Sequence, residues 1–171
     1  MISRRAFLLS SAGIGAGVLA LGWLRAGVAQ PASEGVFEIT RTVEEWRALL
    51  TPAQFAVLRQ EATEYPFTNT LLGEVSPLLS EYRTGVYLCA GCELPVYSSE
   101  TKYDSRTGWP SFWQAIDDAV RTKTDFLLGY PRVEVHCRRC GGHLGHIFDD
   151  GPPPTGKRHC INGLAMTFQP A

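Results

Sequence analysis

Four of the five cysteines in this 171-residue chain form two C-x-x-C pairs, and their spacing constrains the fold more than any other feature. The first pair is Cys89 and Cys92, and the second is Cys137 and Cys140. Thiolates three residues apart in a tight turn can bind one metal ion, and two such turns complete a tetrahedral zinc site. Because 44 residues separate the pairs, the site must join distant parts of the chain. The spacing therefore predicts one structural zinc ion that holds a domain together.

Three other uses of these cysteines are open at this point. Two disulfides could form if the protein is exported to an oxidising compartment. One C-x-x-C pair could be a catalytic disulfide, as in thioredoxin-like proteins, although the βαβ pattern that accompanies it is missing. A four-thiolate iron centre for electron transfer would need the same ligands.

Short β-prone runs separated by turn residues fill the C-terminal half, including GVYLC, LPVYSS and DFLLGYPRVEVHC. The 17 glycines and 11 prolines favour strands and loops over a helical bundle. Upstream, Thr42 with Glu45 and Thr51 with Gln54 are capping boxes that predict two helices. The sequence thus predicts a mainly β fold: an antiparallel β-sheet domain over residues 41–171, held by the zinc site, with the two N-terminal helices packed on it.

The first 29 residues have the layout of an export signal. Arg4 and Arg5 precede an apolar stretch over residues 6–24, and small residues follow it. The start, SRRAFL, resembles a twin-arginine signal. We expect residues 1–29 to direct the protein to the periplasm and residues 30–40 to be a linker. The alternative is an uncleaved membrane anchor, since nineteen residues could just span a bilayer, although four of them are glycine.

The charge of the chain excludes one class of partner. Its net charge is −1, and removal of the predicted signal would take away three arginines and no acid, which changes the net charge to −4. Nucleic-acid binding needs a basic surface, so we expect no nucleic-acid partner.

Cys160 is the one cysteine outside the two pairs, and basic residues precede it. Arg158 and His159 would stabilise a thiolate and lower the pKa of the thiol. In an extended segment, Arg158 and Asn162 share a face with Cys160, whereas His159 lies on the other face and is a bystander. The pattern fits either a nucleophile or a buried structural thiol, which is common for cysteine.

Two further segments carry residues suited to a site. CGGHLGHIFDDG places His143 and His146 just after the second cysteine pair. They could be metal ligands or surface histidines, but four thiolates already saturate a zinc ion. TGWPSFW is rich in aromatic residues, and its Trp109 is either a core residue or the wall of an apolar pocket.

Taken in order, the C-x-x-C pair, SRTGWPSFW, C-x-x-C-GGHLGHIFDDGP and KRHCIN closely resemble the B-type peptide methionine sulfoxide reductases. The resemblance extends from about Val43 to Phe168, and LTPAQFAVLRQEATEYPF is similar to the family's N-terminal helical region. The combined motifs are far more specific than any fragment. The resemblance implies a role in protein repair under oxidative stress, by reduction of the R epimer of methionine sulfoxide.

The resemblance also implies roles for individual residues. Cys160 is the expected nucleophile, whose thiolate attacks the sulfoxide sulfur and becomes a sulfenic acid. His146, His143 and Asn162 match polar positions expected to polarise or protonate the sulfoxide oxygen. Arg158 is expected to set the electrostatics around the thiolate.

The resemblance further implies that Trp109 packs against the methyl group of the substrate. The four paired cysteines match the ligands of the zinc-bearing subgroup: Cys89, Cys92, Cys137 and Cys140. The expected substrates are oxidised proteins or peptides, or free methionine sulfoxide, and a monomer is expected.

One departure from the family changes the expected mechanism. Many members have a resolving cysteine directly before the Gly-Trp-Pro-Ser-Phe run, where this chain has Thr107. With four cysteines on zinc, no free thiol remains for an internal disulfide with Cys160. We therefore expect an external reductant, either a thioredoxin-like protein or a small thiol. Two rival functions stay open: a zinc-ribbon binding or electron-transfer module, and a disulfide-handling oxidoreductase.

Overall fold

The computed structural model describes residues 37–171, so the predicted export signal and most of the predicted linker lie outside the described residues. Within this range the chain forms two α-helices, three 3₁₀ turns and eleven β-strands. The helices are α1 (Val43–Leu49) and α2 (Pro52–Gln60), and the 3₁₀ turns are Pro77–Ser80, Ser99–Thr101 and Gly163–Ala165. The strands are β1 (Thr70–Leu71), β2 (Glu74–Val75), β3 (Gly85–Cys89), β4 (Pro95–Ser98), β5 (Lys102–Tyr103), β6 (Ser111–Phe112), β7 (Val120–Asp125), β8 (Arg132–Cys137), β9 (His143–Phe148), β10 (Arg158–Ile161) and β11 (Met166–Pro170).

All strand pairs are antiparallel, and the strands form three sheets. The main sheet has six strands in the order β5-β6-β10-β9-β8-β7. A three-stranded sheet has the order β11-β3-β4, and β1 pairs with β2. The predicted fold class, mainly β with two N-terminal helices, is confirmed.

Both helices begin at the residues that the sequence predicts. The Thr42 and Thr51 side chains accept hydrogen bonds from the backbone N–H groups of Glu45 and Gln54. In return, the Glu45 and Gln54 side chains accept from the N-cap N–H groups, which completes both capping boxes. Among residues 37–171, no helix is long and apolar enough to cross a membrane.

Aromatic side chains connect the three-stranded sheet to the main sheet. Phe112 of β6 stacks on Tyr97 of β4 with ring centroids 4.4 Å apart, and it meets Tyr87 of β3 edge-on at 5.0 Å. All three rings are completely buried. Each of these rings removes a large apolar area from water, so this cluster is a major source of stability for the β domain.

Candidate active site and metal centre

The four paired cysteines converge on one point. Cys89 ends β3 and Cys137 ends β8, and the turns that follow carry Cys92 and Cys140. The four Sγ atoms lie within 4.8 Å of one another, with Cys89 Sγ 3.7 Å from Cys140 Sγ and Cys92 Sγ 3.5 Å from Cys137 Sγ. All are free thiols rather than disulfides. Four sulfur ligands at these separations fit one tetrahedral zinc ion, and the predicted single structural zinc site is confirmed.

The two helices support this metal centre. We call the two C-x-x-C turns the zinc knuckles. Gly91, inside the first knuckle, lies against Trp46 of α1, and Gly142, just after the second knuckle, lies against Leu58 of α2. The Arg59 guanidinium donates a 3.0 Å hydrogen bond to the carbonyl of Cys140. The helices therefore cover the knuckles, and zinc binding stabilises the packing of α1 and α2 as well as the sheet.

Cys160 lies in β10, in the middle of the main sheet. In the strand register it stands opposite His146 of β9 on one side and Ser111 of β6 on the other. Side chains of directly opposed residues point to the same face, about 5 Å apart at Cβ. The sequence had also predicted that His159 lies on the other face. There its Nδ1 is 3.1 Å from the buried Tyr97 hydroxyl, so His159 belongs to the core.

A β-bulge explains how His143 and His146 share a face despite being three residues apart. Along β8, Val135 pairs with Gly145 whereas the next residue, His136, pairs with His143, so Leu144 is an extra residue in β9. An extra residue reverses the alternation of side chains beyond it. The imidazole rings of His143 and His146 consequently come within 5.4 Å of each other.

Cys160 opens into a small cavity of about 120 Å³. The residues that line it include Thr63, Trp109, Arg132, His146, Cys160 and Asn162. The structure thus brings together four of the residues singled out in the sequence. The cavity has an indole wall on one side and polar side chains on another, which suits a small ligand with an apolar body and one polar oxygen.

The pKa of the Cys160 thiol is raised overall, although the charge of Arg158 lowers it as the sequence predicts. Burial raises the pKa, and it outweighs the favourable charge of Arg158 and the contact of the thiol with the Thr107 hydroxyl at 4.0 Å. Arg158 is also paired with Asp150 through two hydrogen bonds of 2.9 Å. Because the Asp150 carboxylate itself disfavours a thiolate, it offsets part of the effect of Arg158.

His146 is held in one orientation by an aspartate that the sequence analysis did not identify. Its Nε2 lies 2.8 Å from a carboxylate oxygen of Asp125, at the end of β7. Asp125 also accepts from the Arg132 guanidinium and from the backbone N–H of Leu127, and these bonds lower the pKa of its carboxyl. Since an ionised carboxylate can only accept, Nε2 carries the proton in neutral His146 and leaves Nδ1 as an acceptor. Burial lowers the pKa of His146, so the ring is neutral at pH 7.

His143 is fixed in a similar way by Glu134, another residue missed from sequence. The Glu134 carboxylate is 1% exposed and contacts His143 Nδ1 at 2.7 Å and His136 Nδ1 at 2.8 Å. Burial raises the pKa of Glu134, but the two hydrogen bonds outweigh it and lower the pKa to about 2. The second ring nitrogen of His143, Nε2, is buried without a hydrogen-bond partner among the described residues.

Glu64 connects several parts of the site, and sequence reasoning gave it no role. Its carboxylate, also 1% exposed, accepts from the N–H groups of Gly163 and Leu164 and from the Asn69 amide at 2.7–2.8 Å. Its backbone carbonyl accepts from the Trp109 indole at 3.0 Å. Its backbone N–H donates to the Asn162 side chain at 3.0 Å. Glu64 therefore positions both walls of the cavity.

Comparison with known proteins identifies the family. Residues 50–170 match the family model described as SelR domain. The chain is 48% identical to the peptide methionine sulfoxide reductase MsrB of Methanosarcina barkeri over 77% of this chain and 88% of that protein. The MsrB proteins of Pseudomonas putida and Leifsonia xyli are also 48% identical, over 78% and 81% of this chain and 96% of each relative.

The chain belongs to the peptide methionine sulfoxide reductase B family. In this family member, Thr107 lies directly before the Gly-Trp-Pro-Ser-Phe run, and its hydroxyl is 4.0 Å from the Cys160 thiol. Its hydroxyl also contacts Ser105 at 2.8 Å, and Ser105 contacts Ser111 at 2.7 Å. All five cysteines lie within the described residues, and four form the metal centre. The nearest neighbours of Cys160 on this side are hydroxyl groups rather than a second thiol.

No pattern in the sequence of this reductase-family member could have identified Asp125, Glu134 or Glu64. Asp125 and Glu134 lie in strands without a motif of their own, and they reach the histidines only through the pairing of β7, β8 and β9. Glu64 lies in an irregular segment after α2. Each is one acidic residue among 17 in the chain, and only the fold separates them from the exposed ones.

Proposed function

We propose that this protein reduces methionine-R-sulfoxide in oxidised peptides and proteins, or as the free amino acid, back to methionine. One observation supports this proposal best: Cys160 shares a small cavity with Trp109, His146 and Asn162. The cavity suits a methyl sulfoxide, which has an apolar methyl group and one strongly polar oxygen.

In the proposed reaction, the Cys160 thiolate attacks the sulfoxide sulfur. The sulfur–oxygen bond of the substrate breaks, the oxygen is transferred to Cys160 as a sulfenic acid, and methionine leaves. The raised pKa of Cys160 means that the thiol needs a base to become reactive. The neutral ring of His146 offers one, because Asp125 holds the proton on Nε2 and leaves Nδ1 free to accept.

The oxygen requires stabilisation as it gains negative charge. The Asn162 amide lies in the cavity, where its position is set by Glu64 and by the carbonyl of Leu144. We propose that His143, which Glu134 holds in place, also helps to polarise the sulfoxide oxygen. It would act through the neighbouring His146 ring. Trp109 is proposed to pack against the methyl group. The zinc ion, held by the four paired cysteines, would supply structural stability and no chemistry.

Regeneration of Cys160 is proposed to need an external thiol. Two thiol equivalents would reduce the sulfenic acid to the thiol and water, and would themselves become a disulfide. The hydroxyl neighbours of Cys160 support this direct route. A thioredoxin-like protein or a small thiol could supply the electrons.

Export to the periplasm by residues 1–29 is also a proposal, supported by Arg4 and Arg5 before the apolar stretch. Cell fractionation tests it: wild type should be periplasmic, and a variant with both arginines replaced by lysine should remain in the cytoplasm. Equal distribution of the two forms would contradict the proposal.

The decisive experiment measures turnover of the two sulfoxide epimers of N-acetyl-methionine with a chemical thiol as reductant. Wild type should consume the R epimer, and Cys160→Ser should lose at least about a thousandfold of this activity while keeping one zinc per chain. Turnover of the S epimer alone would overturn the proposal. Full activity of Cys160→Ser would favour a metal-binding module without covalent chemistry.

A further inference from the structure

A chain of hydroxyl groups lies on the side of Cys160 away from His146. The strand register places Ser111 of β6 opposite Cys160, on the other side from His146 of β9. The Ser111 hydroxyl is 2.7 Å from the Ser105 hydroxyl, which is 2.8 Å from the Thr107 hydroxyl. Thr107 in turn contacts the Cys160 thiol at 4.0 Å. Ser111 is completely buried and the other two are half-buried, and we call these three residues the hydroxyl chain.

The direction of each hydrogen bond in the hydroxyl chain follows from the number of protons. A hydroxyl group has one proton to donate and two lone pairs that accept. The Ser111 hydroxyl donates to the carbonyl of Trp109 at 3.1 Å, because a carbonyl oxygen can only accept. Ser105 must therefore donate to Ser111, and Thr107 must donate to Ser105. The Thr107 oxygen then has only lone pairs for Cys160, so it accepts a hydrogen bond from the thiol.

The hydroxyl chain can also run in the opposite direction. If Cys160 is a thiolate, all three hydroxyls can turn so that each donates to the next and Thr107 donates to the sulfur. The carbonyl of Trp109 then loses its donor. This is the orientation in which Thr107 lowers the pKa of Cys160. The hydroxyl chain therefore offers Cys160 either an acceptor or a donor, as the protonation state of the cysteine requires.

The hydroxyl chain is separate from the surface that would hold the substrate. Among the described residues, Trp109, His146 and Asn162 line the cavity with Cys160, and no member of the hydroxyl chain does. Cys160 thus has two polar surroundings, one inside the cavity and one outside it. The proposed attack on the sulfoxide uses only the first.

We propose that the hydroxyl chain holds the oxygen of the Cys160 sulfenic acid while an external thiol reduces it. The inference rests on the proposed sulfoxide reductase activity and assigns the second half of its cycle to a separate set of residues. A sulfenic acid has one O–H donor, and the Thr107 oxygen accepts in the required direction. A thiolate attacks sulfur opposite the bond that breaks. With the oxygen held at Thr107, the opposite side of the sulfur faces the cavity, which methionine has left empty.

The atoms and electrons of this reduction balance with two thiols. The first thiol, as its thiolate, forms a sulfur–sulfur bond to Cys160 while the sulfur–oxygen bond breaks. The oxygen leaves as water, since it takes up the proton that the thiol released. The second thiol attacks the sulfur of the first, which restores the Cys160 thiol and releases a disulfide. Cys160 gains two electrons from the two thiols, and the hydroxyl chain supplies hydrogen bonds without being consumed.

The test separates the two half-reactions in the full, zinc-loaded chain. Mixing the protein with the R epimer of N-acetyl-methionine sulfoxide and no reductant measures the rate at which one equivalent of N-acetyl-methionine is released. Addition of dithiothreitol to the oxidised protein then measures the loss of the sulfenic acid, which dimedone labelling and mass spectrometry detect. Thr107→Val removes the hydroxyl at nearly constant shape, Thr107→Ser keeps it, and Ser105→Ala interrupts the hydroxyl chain one group further from Cys160. The matched control is Thr122→Val, the same change at an exposed position of β7.

In Thr107→Val, reduction of the sulfenic acid should slow by about three- to tenfold, the factor that corresponds to the loss of one hydrogen bond. Release of N-acetyl-methionine should slow by less than about twofold, because Thr107 affects the pKa of Cys160 less than burial and Arg158 do. Thr107→Ser and Thr122→Val should stay within about twofold of wild type in both steps. Ser105→Ala should also slow the reduction, and the double variant with Thr107→Val should be no slower than Thr107→Val alone, because the hydroxyl chain acts as a unit.

Equal slowing of both half-reactions in Thr107→Val would show a general structural role and would overturn the inference. A wild-type rate of sulfenic acid reduction in Thr107→Val, or additive losses in the double variant, would overturn it as well. Wild-type protein that releases no N-acetyl-methionine would instead refute the proposed function, because no sulfenic acid would then form.

Discussion

Replacement of Glu64 by glutamine should destabilise the protein by about 2–3 kcal/mol, although the change replaces only one oxygen by an NH₂ group. The carboxylate accepts three hydrogen bonds, two of them from the adjacent N–H groups of Gly163 and Leu164. Glutamine keeps one acceptor oxygen, and its NH₂ group must then face a donor. Loss of a charge-assisted bond costs about 1.5–3 kcal/mol, and the buried donor left without a partner adds about 1–3 kcal/mol. Removal of the buried charge offsets part of this cost, because burial raises the pKa of Glu64.

Urea unfolding followed by circular dichroism, with zinc present, measures this change in the free energy of unfolding. The matched control is Glu61→Gln, three residues earlier. Glu61 has a side chain 43% exposed and pairs with Lys123, so its replacement should cost less than about 0.5 kcal/mol. The Glu64 variant should also lose activity, because the same residue positions Trp109 and Asn162. If both variants unfold at the same urea concentration, the buried carboxylate does not stabilise the fold as described.

Three further predictions concern the thiols. After a single turnover without reductant, the Thr107→Cys variant should form an internal disulfide with Cys160, whereas wild type should give a trappable sulfenic acid. Mass spectrometry distinguishes the two products. A sulfenic acid in both proteins would contradict the reasoning. Arg158→Met should slow iodoacetamide labelling of Cys160 at pH 7.5 by about three- to tenfold, because Arg158 lowers the pKa of the thiol and only the thiolate reacts. Asp150→Asn should accelerate the labelling, because Asp150 raises that pKa. Changes of the same sign in both variants would refute this account. Cys137→Ser should lose the zinc ion and lower the melting temperature by more than about 10 °C, as measured by metal analysis and calorimetry; an unchanged melting temperature would show that the metal is not structural.

The helices and the metal centre could be predicted from sequence because their signals are local. The capping boxes at Thr42 and Thr51 require residues only three apart. Each zinc knuckle likewise needs two cysteines three apart, and the tetrahedral preference of zinc supplies the long-range contact. The order of the motifs indicates the family and, with it, four of the residues that line the cavity: Trp109, His146, Cys160 and Asn162.

The features that could not be predicted from the sequence depend mostly on pairing between distant strands. β7 was not predicted, because its VRTKTD sequence has no apolar alternation, as suits an edge strand with one exposed face. The bulge at Leu144 leaves no composition signal either. The net direction of the Cys160 pKa could not be predicted, because the lowering effect of Arg158 can be read from sequence, whereas burial and the Asp150 partner cannot.

The two ends of β8 are held differently, by the metal site at Cys137 and by Asp125 at Arg132. At Cys137 the strand leads into a turn whose length and shape are set by zinc coordination, so insertions there would displace the histidines of β9. At Arg132 it leads out of a turn whose large apolar side chains are exposed. The side chains at residues 128–131 can therefore vary without moving the catalytic groups, provided that the Leu127 backbone N–H still donates to Asp125, and we expect divergence among related enzymes to concentrate there.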